Sequence, residues 1–212
     1  CSEKFDWLER ETKGYVTPRT LFYCSDGRSS DSGEQITSAD QKSILRVGAI
    51  LDRNGWKVAK ITAQETPVQR YRNLEYFGEK ARDCLLAIRV LDEGFNLPSC
   101  ERAYLLASSR NERQFIQRRG RVLRQSPETG KTHAEIVDFL VLPPKEASDA
   151  SWVPAMVEGE LLRAFEFARF SMNSGEVIEI LEKISESHGL SFNEVQHKVN
   201  SRRYSDEELE VE

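Results

Sequence analysis

The sequence predicts an α/β fold: a doubly wound, mostly parallel sheet of about five strands flanked by helices, with a C-terminal helical appendage. Three observations lead there. Short apolar runs alternate with stretches of helical periodicity from Thr20 to Val141. One run, Cys84 to Leu91, is nearly continuous apolar, the pattern of a strand covered on both faces. From Trp152 onward strand signals stop while helical periodicity continues.

Each element has its own signal. Residues 1–17 read as a lead-in helix or linker. Thr20-Leu21-Phe22-Tyr23-Cys24 reads as a buried strand, followed by the Ser, Asp and Gly-rich loop 25–33. Ser38-Ala39-Asp40 opens a helix with Ile44, Leu45, Val47, Ile50 and Leu51 as its apolar side, and Asn54-Gly55 ends it. Trp56 to Ile61 alternates as a strand. Thr66-Pro67 starts the next helix, with Pro in the first turn and Tyr71, Leu74 and Phe77 facing inward. Tyr104 to Ala107 and Ala134 to Val141 complete the strands. Met156, Leu161, Leu162, Phe165, Phe167, Ala168 and Phe170 then suggest one amphipathic helix, with Glu160, Arg163 and Glu166 free to face water. Val177, Ile178, Ile180, Leu181 and Ile184 suggest a second, ended by His188-Gly189. The expected division is lead-in 1–17, sheet domain 18–145, helical appendage 146–204 and acidic tail 205–212.

With 212 residues, 39% hydrophobic and 31% charged, the chain is long enough for a substantial core. No apolar run approaches the roughly 18 residues of a membrane span, and no apolar signal core opens the chain, so no membrane partner is expected. Cys1, Cys24, Cys84 and Cys100 lack C-x-x-C spacing, which favours buried reduced thiols over metal ligands or disulfides. No metal site and a cytoplasmic location are the resulting expectations. The net charge of -5 is unevenly placed: Asp206 to Glu212 holds five acids, whereas Arg102 to Arg124 holds seven arginines against Glu112 alone. A basic face on an acidic protein is therefore compatible with the total.

In open parallel sheets, ligands gather at the carboxyl ends of the strands. Three segments fall there. One is the loop Ser25-Asp26-Gly27 and another the turn Asp92-Glu93-Gly94-Phe95-Asn96-Leu97-Pro98. Asp92 and Glu93 could equally serve that turn or cap a helix. The third, Gln114 to Arg124, read as a helix, puts Gln117, Arg121 and Arg124 on one stripe with Phe115, Ile116, Val122 and Leu123 turned away. Guanidinium groups match phosphate oxygens in bidentate fashion, so the stripe suits a polyphosphate. A solvated basic face is the plainer alternative. Gly120, however, costs about 1 kcal/mol relative to Ala inside a helix, which suggests close backbone approach.

The turn Arg89 to Pro98 and the helix Gln117-Arg118-Arg119-Gly120-Arg121-Val122-Leu123-Arg124 together resemble motifs V and VI of superfamily-two DEAD/DEAH-type helicases. Their flavour is that of bacterial proteins related to XPB and to restriction-enzyme motor subunits. Leu21 to Ser25 is similar to motif IV, and Ile61-Thr62 followed by Arg70 and Phe77 fits the segment that comes next. The resemblance covers about residues 18–142 and implies the second RecA-like motor domain. It implies that Arg121 and Arg124 are arginine fingers reaching the γ-phosphate of ATP, with Gln117 beside them. It places Glu93, Gly94 and Asn96 near the nucleotide, Asn96 standing where many relatives have Asp. Ser25, Asp26, Gly27, Thr62 and Arg89 would contact a nucleic-acid strand, expected to be DNA. Arg118 and Arg119 lie off the finger stripe.

No G-x-x-x-x-G-K-[ST] occurs. Gly130-Lys131-Thr132 is the nearest fragment, but Gln125 stands where the first Gly belongs. The expectation is half of an ATPase: ATP with Mg²⁺ held by a first, N-terminal RecA-like domain preceding residue 1, and no turnover by this chain alone. The expected function is the second motor domain of an ATP-dependent DNA helicase or translocase, in restriction or repair. The alternative is a non-catalytic RecA-like module binding nucleic acid or protein, from a degenerate motor. A Walker A Lys and a D-E-x-[HD] segment upstream would distinguish the two. A Rossmann-type metabolic enzyme is disfavoured, because no G-x-G-x-x-G follows the first strand.

Overall fold

The computed structural model describes residues 2–24, 38–62, 64–88, 100–106, 127, 130–144 and 150–209. They form two compact units, Cys1–Phe139 and Leu140–Glu212. The first unit contains α1 (Ser2–Glu11), β1 (Thr20–Tyr23), α2 (Ser38–Arg53), β2 (Val58–Ile61), α3 (Pro67–Gly78), β3 (Cys84–Ala87), β4 (Arg102–Leu105) and β5 (Glu135–Asp138). The second contains α4 (Val153–Ala168), α5 (Ser174–Ser187) and α6 (Phe192–Leu209). No described helix is long and apolar enough to cross a membrane.

All five strands are parallel, in the order β2-β3-β1-β4-β5. The chain is a RecA-like α/β fold. Burial explains the order. β1 and β3 are buried at all four positions, so they lie inside the sheet, whereas β2 and β5 expose Lys60 and Glu135 at its edges. Successive side chains point to opposite faces. Phe22, Leu86 and Tyr104 join Leu8, Val47, Leu51 and Trp56 in one core cluster. Phe22 stacks on Tyr104 at 4.7 Å and 8°, and meets Trp56 edge-on at 5.6 Å. The alternate residues Leu21, Leu85 and Ala103 are fully buried on the other face. Each such Leu contributes about 1.5–3 kcal/mol by leaving water.

Local signals end the helices where expected. Gly55, at φ 83°, takes the left-handed conformation that closes α2, and Gly189, at φ 66°, does the same after α5. At the start of α3, Thr66 accepts from Gln69 N at 3.3 Å while Gln69 Oε1 accepts from Thr66 N at 2.9 Å, a reciprocal cap.

The structure corrects several inward-facing assignments. Leu45 is 58% exposed, because the buried stripe of α2 runs through Ile44, Val47, Ile50 and Leu51 and leaves Leu45 to the side. Tyr71 is 69% exposed and Leu74 only partly buried, since α3 lies on edge strand β2 and buries Phe77 alone. Phe170 is 61% exposed, two residues past the end of α4. β4 begins at Arg102, two residues before the expected start.

In the second unit, Leu161, Phe165, Leu181, Phe192, Val195 and Val199 share a core, with Phe165 edge-on to Phe192 at 5.5 Å. Helix α6 has no counterpart in the sequence reading, and it continues through Leu209 into the acidic stretch. Glu160, Arg163 and Glu166 are not simply solvated. Arg163 pairs with Glu160 at 2.7 Å, Glu160 also accepts from Val141 N at 3.1 Å, and Arg169 pairs with Glu166 at 2.7 Å.

Candidate functional site

The strands end level. Tyr23 registers with Ala87 and Leu105, Ile61 with Ala87, and Asp138 with Leu105. The ladder runs one residue further at each central exit: Cys24 N donates to Ala87 O at 2.9 Å, Ile88 N to Ile61 O at 3.3 Å, and Leu106 N to Tyr23 O at 2.9 Å. The next residues begin segments 25–37, 89–99 and 107–126, so all three segments leave from the adjacent strands β1, β3 and β4. Strands lie about 4.8 Å apart, which puts the three exits within roughly 10 Å of one another. From β1 the chain proceeds to β2 on one side of the sheet, and from β4 to β5 on the other. The carboxyl ends of β1 and β4 therefore flank the reversal point where open α/β sheets bind ligands.

Ser25, Asp26, Gly27, Arg89, Glu93, Gly94, Asn96, Gln117, Arg121 and Arg124 lie outside the described residues, as does the helix expected over 114–124. Thr62 is described. It follows β2 at the same carboxyl edge and is 6% exposed. Its backbone N and its Oγ1 both donate to Glu65 Oε2, at 2.5 and 2.7 Å, and Oγ1 accepts from Gln64 N at 3.1 Å. A carboxylate thus already occupies the two donors that an anionic ligand would use.

One residue at this edge escaped the sequence reading. Lys4, on α1, donates from Nζ to Leu106 O, at the start of segment 107–126. A single Lys in a lead-in helix belongs to no motif, and only a contact spanning 102 residues reveals it.

The amino edge of the sheet is different in character. Arg19 pairs with Glu101 at 2.9 Å and Arg102 with Glu135 at 2.5 Å. Lys131 is buried there; burial lowers its pKa, while Cys100 and Glu101 act the other way. Gly130-Lys131-Thr132 precedes β5 and so lies at the end opposite the candidate site, consistent with a chance match to a phosphate loop. Cys24, Cys84 and Cys100 are free and buried. Burial pushes the Cys24 and Cys100 thiols up to about 12 and Cys84 higher still, so none is a nucleophile at neutral pH.

Residues 3–126, more than half of the chain, match the family described as helicase conserved C-terminal domain. A stretch of 88 residues is 31% identical to Dicer-like protein 2 of Phaeosphaeria nodorum, covering 41% of this chain and 6% of that protein. The chain therefore spans a small part of that relative. Among solved structures, the C-terminal part of the Fun30 ATPase domain is similar with a TM-score of 0.50 at 14% identity, over 77% of this chain and 53% of that one. The C-terminal domain of the DEAD-box protein Dbp5 gives 0.48 at 15% identity, over 95% and 92%. With the parallel sheet and its level carboxyl edge, the match over residues 3–126 means that the chain belongs to the helicase conserved C-terminal domain family.

Proposed function

We propose that the chain is the second motor domain of an ATP-dependent DNA helicase or translocase, working against a first RecA-like domain that holds ATP and Mg²⁺. The observation that carries this reading is the adjacency of β3, β1 and β4, which brings the origins of the three motif-bearing segments together at one edge. ATP would supply the phosphoryl group whose transfer drives the motor. Arg121 and Arg124 would stabilise the charge that develops on it, an effect worth about 10³ to 10⁵ in rate for such groups. Gln117 would lie beside them, and Glu93, Gly94 and Asn96 near the nucleotide. Ser25, Asp26, Gly27, Thr62 and Arg89 would follow the strand through its backbone, giving salt-dependent binding.

DNA as the track, and restriction or repair as the setting, follow from the likeness of motifs V and VI to XPB and restriction-enzyme motors. The buried free thiols fit a reducing, cytoplasmic environment. The test is ATP turnover with single-stranded DNA, single-stranded RNA or no strand, for the protein with both RecA-like domains and for this chain alone. The expected result is stimulation by DNA in the former and no turnover in the latter. Turnover by the chain alone, or a two-domain protein indifferent to either strand, contradicts the reading. Stronger stimulation by RNA removes its DNA part.

A further inference from the structure

We propose that Glu65 sets the affinity of the strand path: its carboxylate takes the place of a backbone phosphate at Thr62 and must rotate away when a strand arrives. This rests on the assignment of Thr62 to that path.

Thr62 and Glu65 form a small anion site already filled from within the chain. Thr62 follows edge strand β2 at the carboxyl edge and is 6% exposed. Its backbone N–H and its hydroxyl converge on one oxygen, Glu65 Oε2, at 2.5 and 2.7 Å. Gln64 N donates to the same hydroxyl at 3.1 Å, which leaves the hydroxyl proton directed at Glu65. Two donors aimed at one anionic oxygen suit a phosphate oxygen equally well, and hydrogen bonds to ionised acceptors are about twice as strong as neutral ones.

The surroundings of this pair are held independently of it. Ile61 O accepts from Ile88 N at 3.3 Å, so the end of β2 stays on the sheet. Asn73 Nδ2 donates to Lys60 O at 2.8 Å, which ties α3 to β2. Thr66 and Gln69 cap each other at the start of α3. Glu65 is thus the moving part: rotation of one half-buried side chain opens Thr62 while β2 and α3 stay in place. A strand that binds there first has to release both donors from the carboxylate, and that release weakens its net affinity.

Glu65→Gln keeps the acceptor oxygen and the shape but removes the charge, so it preserves the turn and loosens the hold on Thr62. In the two-domain protein it should lower Kd for single-stranded DNA by roughly five- to tenfold. Glu75→Gln, on the exposed side of α3, makes the same change in net charge and should alter Kd by about twofold or less. The Glu65→Gln gain should persist at high ionic strength, because it comes from a direct contact, whereas a through-space gain is screened. In a Thr62→Val background, which lacks the hydroxyl donor, the gain should shrink to about twofold. A role confined to stabilising the turn would shift the urea midpoint and leave Kd unchanged. Equal gains in Glu65→Gln and Glu75→Gln, or a Glu65→Gln gain undiminished by Thr62→Val, overturns the proposal. If Thr62→Val fails to fold, loss of the Glu65→Gln gain at high ionic strength overturns it equally. A wild-type two-domain protein whose ATP turnover responds to no strand overturns the reading beneath it, and the role of Glu65 falls with that reading.

Discussion

At Thr62, a residue expected to meet a nucleic-acid phosphate, the donors are already turned onto Glu65. A strand that uses Thr62 must displace that carboxylate. Glu65→Gln should therefore tighten binding of single-stranded DNA to the two-domain protein, read as a lower Kd by fluorescence anisotropy. An unchanged or weaker affinity would separate Thr62 from the strand. Thr66, four residues on, has a structural role in the α3 cap. Thr66→Ala should cost about 1 kcal/mol, measured as a shift of the urea midpoint with unchanged slope. Both turns were only partly legible in sequence. Thr66-Pro67 announces a helix start by itself, but the Thr62–Glu65 pairing depends on how the chain turns after β2. Leu45 and Tyr71 show a related limit: an apolar residue beside a helical stripe reads as inward until the neighbouring element shows how wide a face it covers.

At the scale of elements, the sheet was the most legible part. Strands such as Thr20–Tyr23 and Cys84–Ala87 are apolar on both faces, and that pattern needs no distant information. Leu86→Ala should destabilise the chain by about 2–5 kcal/mol, read by chemical denaturation, because Leu86 is fully buried and its Cδ1 would lie 3.4 Å from a Cβ placed at Gly48. Helix α6 was not legible: among its described side chains the buried ones are Phe192, Val195 and Val199, a stripe too short to stand out in a mostly polar sequence. Lys4 was invisible for the opposite reason, since its partner is 102 residues away. The central elements also predict a pH dependence. The Cys24 and Cys100 thiols, with pKa values pushed to about 12 by burial, stay protonated in the fold, whereas the unfolded chain ionises them near 9.0. Cys84 is raised by burial first, then by the Asp83 charge and Cys24. Their contribution is therefore complete below the unfolded value and lost as pH rises toward the folded one. The slope is about 1.4 kcal/mol per pH unit for each thiol. Urea unfolding at a series of pH values should show stability falling above pH ~9, and falling less steeply in Cys100→Ala. Equal slopes would contradict this account.

Over the whole molecule, charge and architecture divide differently. The net charge of -5 gives no hint of a polyphosphate or nucleic-acid partner, yet seven arginines lie between Arg102 and Arg124. The sheet order then places the origin of that segment beside those of 25–37 and 89–99. Family and fold were legible because the motifs follow strands in a set sequence. The arrangement of the site residues was not, because in the proposed reading Arg121 and Arg124 work on a nucleotide held by another domain, and no single domain's sequence encodes that distance. The most direct test is ATP turnover and ATP binding in the protein with both RecA-like domains, comparing wild type with Arg121→Ala and Arg124→Ala. Turnover should be abolished in each variant while ATP binding largely survives. Wild-type turnover in either would contradict the assignment of these arginines to the ATP site.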